Sequence, residues 1–422
     1  MKILFYNHTG QVGGAERLLL TLMERLDRSQ FDPVLVCPAE GPLHHLANKT
    51  GVRTEAIDGL KARFTWRPDY VVGYLNSFRH VIRQLRQKVV DTQSDLIHAN
   101  SVRAGLVATV ATFRLKQTVV WHVHDLLPRH PFNTFIRAVA SLSPRTRIVA
   151  VAQASADRLI GNCGARILRV IHGRDAHATS VGLRRRVSVI PNAVDLQKFS
   201  ANTGARKRIR QELNVAADAP VIGMIGRLTP AKGQLEMVKL FPKVLDRFPN
   251  ARLLIVGAPA FNNEHEYLQL LNQTIAEMKV SDRVQILGAR DDVAEVLRAL
   301  DLLVVNSASE ACSLVILEAM ASGTPVLATS TGGTPEIIQH QKNGWLVKFQ
   351  NDDDLTSGVS ALLSDQEARE RLGLQGQRDA AERYTIPRFM TEMHAFYSSV
   401  LAEGQIPQQE KMPNFEVSLT SD

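Results

Sequence analysis

The sequence predicts an α/β protein made of two successive parallel-sheet domains. Three observations carry that prediction. Short, continuously apolar runs alternate with amphipathic stretches. That alternation is completed once in each half of the chain. The length of 422 residues exceeds a single typical domain and fits two of roughly 150–200 residues.

The apolar runs of the first half are KILFYN (2–7), PVLVCP (33–38), DLIHAN (95–100), TVVWHVH (118–124), RIVAVA (147–152) and VSVIPNAV (187–194). Amphipathic segments such as AERLLLTLMERL (15–26) and FRHVIRQLRQKVV (78–90) lie between them. Strands apolar on both faces and separated by helices are those of a parallel sheet covered on both sides. The second half repeats the scheme with 220–226, 251–257, 284–288, 301–307, 325–330 and 344–349, and with helices such as QLEMVKLFPKVLDRF (234–248). The join falls near Pro191–Phe199. The expected organisation is a first domain over 1–190 and a second over 191–384, followed by a helix at 386–401. The polar, Pro-containing segment 403–422 is expected to lack fixed structure.

Composition bounds the class. Hydrophobic residues make up 45% and charged residues 22%, ordinary for a globular chain with a sizeable core. Cys37, Cys163 and Cys312 are odd in number and far apart, which supports neither a disulfide framework nor a CxxC metal site. A reducing cytosol suits them. The opening MKILFYNHTG has too short an apolar run for a signal peptide, and no run approaches the ~20 residues that span a bilayer. The expected location is cytoplasmic, with peripheral attachment to the cytoplasmic membrane face as an option. Residues 1–190 hold 27 Lys/Arg against 13 Asp/Glu, whereas 191–422 hold 23 against 29. The first half is therefore suited to an anionic partner.

In open α/β sheets, ligands bind beyond the carboxyl ends of the strands, so residues just after strands are the informative ones. After the first strand, Gly13 and Gly14 precede a helix and could let backbone N–H groups approach a phosphate or sugar. In WHVHDLLP, alternation puts His122 and His124 on one strand face, and His124-Asp125 falls at the strand end. No further ligand completes a metal set around these histidines. In GRLTPAKGQ (226–234), Arg227 leaves a strand end and Lys232 stands beside a helix start, a pairing suited to a diphosphate. It is not a Walker A loop.

SEACSLVILEAMASGTPV (309–326) is the most informative stretch. Ser313 is the expected N-cap of a helix beginning near Leu314, and Gly323 its left-handed end. Glu310 then lies in the loop above the sheet edge and Glu318 in the helix's second turn, with the N–H groups of Leu314 and Val315 between them. Carboxylates so placed would accept hydrogen bonds from sugar hydroxyls. Asp352-Asp353-Asp354 contains a literal D-x-D, but it opens a helix and reads as capping and dipole-favourable acid, not a metal site.

The ordered set GGAER (13–17), HD (124–125), VIPNAVD (189–195), GRLTPAKG (226–233), LGARDDV (287–293), E-x7-E (310–318), EAMASGTPV (318–326), GGTPEII (332–338) and NGWLV (343–347) resembles the retaining glycosyltransferases of the GT-B fold, family-4 type. The resemblance runs to about Leu401. It implies two Rossmann-like domains facing across a cleft, with the last helix crossing back to the first domain. The second domain would bind a UDP- or GDP-sugar and the first a glycan or lipid-linked acceptor. Carried over, Arg227, Lys232 and the backbone of Gly14, Leu314 and Val315 would grip the diphosphate. Glu318 would hold the ribose, Glu310 and His124 the donor sugar, and the backbone near Arg290 the base. No cofactor or metal is implied. Two departures stand out: Asn192-Ala193 replaces the usual N-G, and the 161–186 connection is long and ends in Arg184-Arg185-Arg186.

The resemblance implies transfer with retention of anomeric configuration, in polysaccharide or glycolipid synthesis. A sugar-nucleotide epimerase on the same fold and a catalytically silent carbohydrate-binding relative are the competing classes. Nucleic-acid binding is not expected, since no recognised motif accompanies the basic half. Helix 78–90 offers an apolar stripe of Phe78, Val81, Ile82, Leu85 and Val89 beside basic residues. That stripe suits either the protein core or an anionic bilayer.

Overall fold

The computed structural model describes residues 1–60, 68–128, 130–161, 183–200, 204–260 and 262–405. Cys163, most of the 161–186 connection and the tail beyond 405 lie outside the described residues. Two parallel sheets form the scaffold. The first runs in the order β3 (Arg53–Ile57), β2 (Asp32–Pro38), β1 (Lys2–Tyr6), β4 (Leu96–Ala99), β5 (Thr118–Val123), β6 (Thr146–Ala150), β7 (Val187–Val189). The second runs β10 (Val284–Gly288), β9 (Arg252–Val256), β8 (Val221–Ile225), β11 (Leu302–Val305), β12 (Val326–Thr329), β13 (Trp345–Val347). The strand order reverses between β1 and β4 in one sheet and between β8 and β11 in the other. Those two crevices are where a doubly wound sheet receives its ligands.

The apolar runs become strands because both of their faces are covered: Ile3, Leu4 and Phe5 are fully buried, as are Leu302 and Leu303. The exception is β3, whose RTEAI reads as polar. It is an edge strand, so half of its surface meets water. Its Glu55 is bound by Arg53 (2.6 Å) and by Lys88 (2.8 Å).

Lys88 belongs to the helix Pro68–Thr92, longer than the 78–90 segment the pattern suggested. Val81, Leu85 and Val89 are fully buried against the first sheet, with Phe78 and Ile82 packed beside them. The apolar stripe therefore faces the core, and the bilayer option does not apply to it. Arg86 on the same helix is held by the carbonyls of Ala111 (2.9 Å) and Phe113 (3.1 Å).

The last helix, Ile386–Gln405, crosses back to the first domain. Phe389, Met393, Phe396, Tyr397 and Val400 pack there with Ile3, Phe5, Leu19 and Leu22. At the join, Ala193 is buried in that same core, where a methyl group is accommodated in place of glycine. Asn192 donates to the carbonyl of Cys312 (2.7 Å), tying the join to the loop that carries Glu310. Asn351 is the cap of the helix Asp352–Ser364, accepting from the Asp354 N–H (2.9 Å). The three aspartates fill its first turn, where the helix dipole favours them.

Candidate active site

Two helix N-termini meet across the cleft. The helix Gly14–Arg25 follows β1, and the helix Leu314–Ser322 follows β11, each leaving its switch point. A Cβ placed on Gly14 would lie 3.1 Å from Leu314 Cδ1, so a larger residue there would displace the Leu314 side chain. Ser313 occupies the N-cap position but makes no side-chain capping bond. Its hydroxyl thus leaves the first N–H groups of that helix to a ligand. Gly323 ends the helix in the left-handed region (φ 73°). The Gly13 N–H, by contrast, is taken by the Glu16 carboxylate (2.9 Å), so Gly13 offers close approach rather than a donor.

Beneath these helix ends lies a small cavity lined by Lys232, Gln234, Ser307, Glu310 and Val315. Lys232 Nζ is 2.5 Å from Glu310 Oε1, with Glu310 buried. Gly233 supplies the turn that aims Lys232. Its φ of 69° is left-handed, and a Cβ would sit 2.2 Å from the Asn306 carbonyl oxygen. Gln234 donates to the carbonyl of Arg227 (2.9 Å) and fixes that loop. Arg227 Nε stands 3.2 Å from Glu264, its side chain still half exposed. On the far side, Gly332 backs the Glu310 loop, since a Cβ at its φ of 56° would be 2.1 Å from the Glu310 carbonyl oxygen.

The first domain contributes His124, half-buried at the cleft edge. Its Nε2 lies 3.0 Å from Asn100 Oδ1, and Asn100 in turn donates to Asn7 (3.1 Å). Behind it the rings of His122 and His124 are 4.0 Å apart, His122 Nδ1 is 3.2 Å from His98 Nε2, and His98 Nδ1 is 2.8 Å from the Tyr397 hydroxyl. Burial drives the pKa of His98 and of His124 down to about 3, so this stack is neutral at physiological pH. Beside it, burial raises the Asp125 carboxyl, opposed by Arg227, Arg103 and Lys232, while Glu310 adds to the rise. Asp125 thus faces the charges of the second domain's loop.

Glu318 is the most perturbed acid in the cleft. Desolvation raises its pKa to about 7, against the pull of Arg17 and Lys198. Arg290, the residue expected beside the base, is clamped by Asp292 (2.6 Å and 2.8 Å) and Glu212 (2.7 Å), which leaves only its backbone for a ligand. Among the described residues, no group of three or more His, Cys, Asp or Glu could hold a metal ion.

Sequence reasoning missed four contributors. Arg17 faces Glu318 from the other domain, although it sits inside the GGAER motif. Asn7 and Asn100 orient His124, and both end strands at the ligand edge of one sheet, a signal that was available. Glu336 reaches across to the helix Gln153–Ile160, accepting from the N–H groups of Gln153 (2.8 Å) and Ala154 (2.7 Å). No local pattern announces that contact, because its partners are 182 and 183 residues away.

Two facing parallel-sheet domains, a crossing last helix and a cleft lined by helix ends and paired charges define a GT-B glycosyltransferase. Glycosyl transferases group 1 matches residues 205–379, and Glycosyltransferase Family 4 matches 12–175. A D-inositol 3-phosphate glycosyltransferase of Corynebacterium jeikeium is 31% identical over 319 residues, 74% of this chain and 73% of that protein. The Nocardia farcinica protein of the same name is 32% identical over 295 residues, 68% of this chain and 62% of its own length. Anabaena HepE, solved in complex with UDP-glucose, superposes with a TM-score of 0.78 at 26% identity, covering 94% of this chain and 100% of its own. The chain belongs to the group 1, family-4-type glycosyltransferases.

Proposed function

We propose that the protein transfers a hexose-type sugar from UDP or GDP to a glycan or lipid-linked acceptor, with retention of anomeric configuration and without a metal. The observation that carries this reading is the convergence of Lys232 and two helix N-termini on one cleft that also holds Glu310, Glu318 and His124. The UDP and UDP-glucose complexes of HepE support a nucleotide-sugar donor.

Cleavage of the donor's glycosidic bond to phosphate leaves new negative charge on the diphosphate. Lys232, Arg227 and the N–H groups of Leu314 and Val315 are available to stabilise that charge as it develops, the task a metal ion performs elsewhere. Arriving phosphate competes with Glu310 for Lys232, which frees the Glu310 carboxylate to accept donor-sugar hydroxyls. Ionised Glu318, opposite Arg17, accepts ribose hydroxyls. His124, neutral and oriented by Asn100, donates or accepts one hydrogen bond to the sugar and does not act as a nucleophile. Retention follows if the acceptor attacks the face that the diphosphate leaves, the departing phosphate taking the acceptor's proton.

The test is a thermal-shift screen of UDP, GDP and ADP, followed by a donor-hydrolysis assay with and without chelator and by NMR of the product anomer. Stabilisation by one diphosphate, hydrolysis unaffected by chelator and a retained anomer are expected. An inverted anomer or loss of hydrolysis with chelator removes the corresponding part of the reading. Interconversion of free nucleotide sugars without transfer assigns the chain to the epimerases.

A further inference from the structure

The most exposed positions of the helix Phe132–Ser141 are apolar, with Thr134, Arg137 and Ser141 only partly exposed beside them. Asn133, Ile136, Val139 and Ala140 turn inward and are buried, as an amphipathic helix requires. The outward positions should then be charged or polar. Instead the most exposed ones are Pro131, Phe132, Phe135, Ala138 and, just past the helix, Leu142. Phe132 is 48% exposed, Phe135 54% and Leu142 55%, and the two phenyl rings stack on each other with centroids 5.2 Å apart. Single exposed apolar residues are ordinary, whereas a contiguous cluster of them marks an interaction surface.

The surroundings say what that surface meets. From Leu126 to Ala156 the sequence holds no Asp or Glu, while its described residues include His130, Arg137, Arg145 and Arg147. Arg137 donates to the Leu159 carbonyl (2.7 Å) and Arg145 to the Leu115 carbonyl (3.4 Å), contacts that fix their geometry without cancelling their charge. Phe113, 51% exposed and with the Arg114 guanidinium 5.6 Å from its ring centroid, extends the same combination to the end of the helix Val102–Ala111. The stripe also opens onto the active site. Asn133 donates to the carbonyl of Pro128 (2.5 Å), four residues past His124, so the helix starts at the cleft mouth.

We propose that the exposed face Phe132–Phe135–Leu142, with its acid-free basic flank, is the surface by which this protein lies on an anionic lipid bilayer. Aromatic and aliphatic side chains enter the headgroup boundary while the flanking cations meet lipid phosphates. A second copy of the chain is disfavoured as occupant, since two-fold pairing of this face would bring cations against cations. The inference deepens the lipid-linked-acceptor reading, because the surface would deliver such an acceptor to the His124 side of the cleft.

The experiment is co-sedimentation of the full chain with vesicles of phosphatidylcholine alone and of phosphatidylcholine containing 30% phosphatidylglycerol, a composition of roughly physiological surface charge. Binding to the anionic vesicles that falls at least tenfold in F132E/F135E is expected, as is a blue-shifted emission of an F135W variant on those vesicles. Circular dichroism and melting of F132E/F135E should match the parent, because both positions are exposed. Equal binding to both vesicle types, or parent-like binding by F132E/F135E, overturns the proposal. A concentration-dependent dimer that F132E/F135E abolishes, without vesicle binding, assigns the face to self-association instead. Donor hydrolysis in solution is read separately, so failure on vesicles leaves the donor site standing, and failure of hydrolysis leaves the bilayer contact standing.

Discussion

Lys232 and Glu310 hold each other 2.5 Å apart in the cleft. The cation that would grip a diphosphate is therefore kept in place by an acid of the same site. Such a pair keeps Lys232 from folding back into solvent and, on the proposed reading, would exchange Glu310 for a donor phosphate. K232A removes both the placeholder and the stabilising charge. Transfer at subsaturating donor should fall by roughly 10²–10³-fold, the scale for losing one preorganised electrostatic contact. Initial rates on protein of parent-like circular dichroism check it, and near-parental turnover would remove Lys232 from the site.

Glu318 should show itself in the pH dependence of stability. Its folded pKa of about 7 lies above the unfolded value near 4.3. Between those values the folded state binds more protons, so this group makes folding less favourable as pH rises, with the full cost present above about 7. E318Q should melt higher than the parent at pH 8, with the advantage gone near pH 4. The same variant should lose donor affinity. Melting curves at the two pH values, paired with donor titrations, separate the gain in stability from the loss of binding.

The stacked histidines predict an acid limb of the opposite sign. His98 and His124 titrate near 3 when folded and near 6.5 when unfolded, and His122 is lowered as well. Their contribution is complete above about 6.5 and is lost as pH falls below it, the unfolded chain taking up roughly three more protons by pH 5. H98N should reduce that slope by about one proton, measured by urea unfolding from pH 7 to pH 5.

Tyr397 ties the crossing helix to this stack through His98. Y397F leaves His98 Nδ1 without a partner in a buried place and should cost about 1–2 kcal/mol of stability. Urea unfolding at pH 7.5 gives the number, and an unchanged midpoint would mean that the hydroxyl contributes nothing.

Glu336 bridges the domains by capping the helix Gln153–Ile160 with both carboxylate oxygens. E336A hands two exposed N–H groups over to water and should lower stability by about 1 kcal/mol, the net worth of such bonds at a helix N-terminus. E336Q, which can satisfy one of them, should recover part of the loss in the same unfolding series.

The fold was legible wherever burial leaves no choice. Strands such as KILFY and LLVV can only be interior, and every described strand but one falls on a predicted apolar run, the less buried edge strands β7, β10 and β13 included. RTEAI does not, since this edge strand carries polar residues on its open side. The stripe of helix 78–90 was visible but ambiguous: periodicity reports that one face is apolar, not what covers it, and the sheet covers it. Within the site, Lys232, Glu310 and Glu318 stood out because ionisable residues interrupt otherwise apolar or turn-forming segments. Arg17 opposite Glu318 and Asn7 beside Asn100 did not, because each partnership joins distant segments. Arg290 shows the converse: its position was singled out, and its side chain is spent on Asp292 and Glu212.

The crossing helix has a consequence for biosynthesis. Ile3, Phe5 and Leu22 share a core with Phe389, Met393 and Tyr397, so the domain made first is completed by residues made last. During translation the nascent first domain must wait, with an apolar groove open to solvent, while the whole second domain emerges and folds. A chain truncated before Ile386 should therefore accumulate as aggregate although every strand of both sheets is present. Supplying the missing helix in trans should rescue solubility before it rescues catalysis.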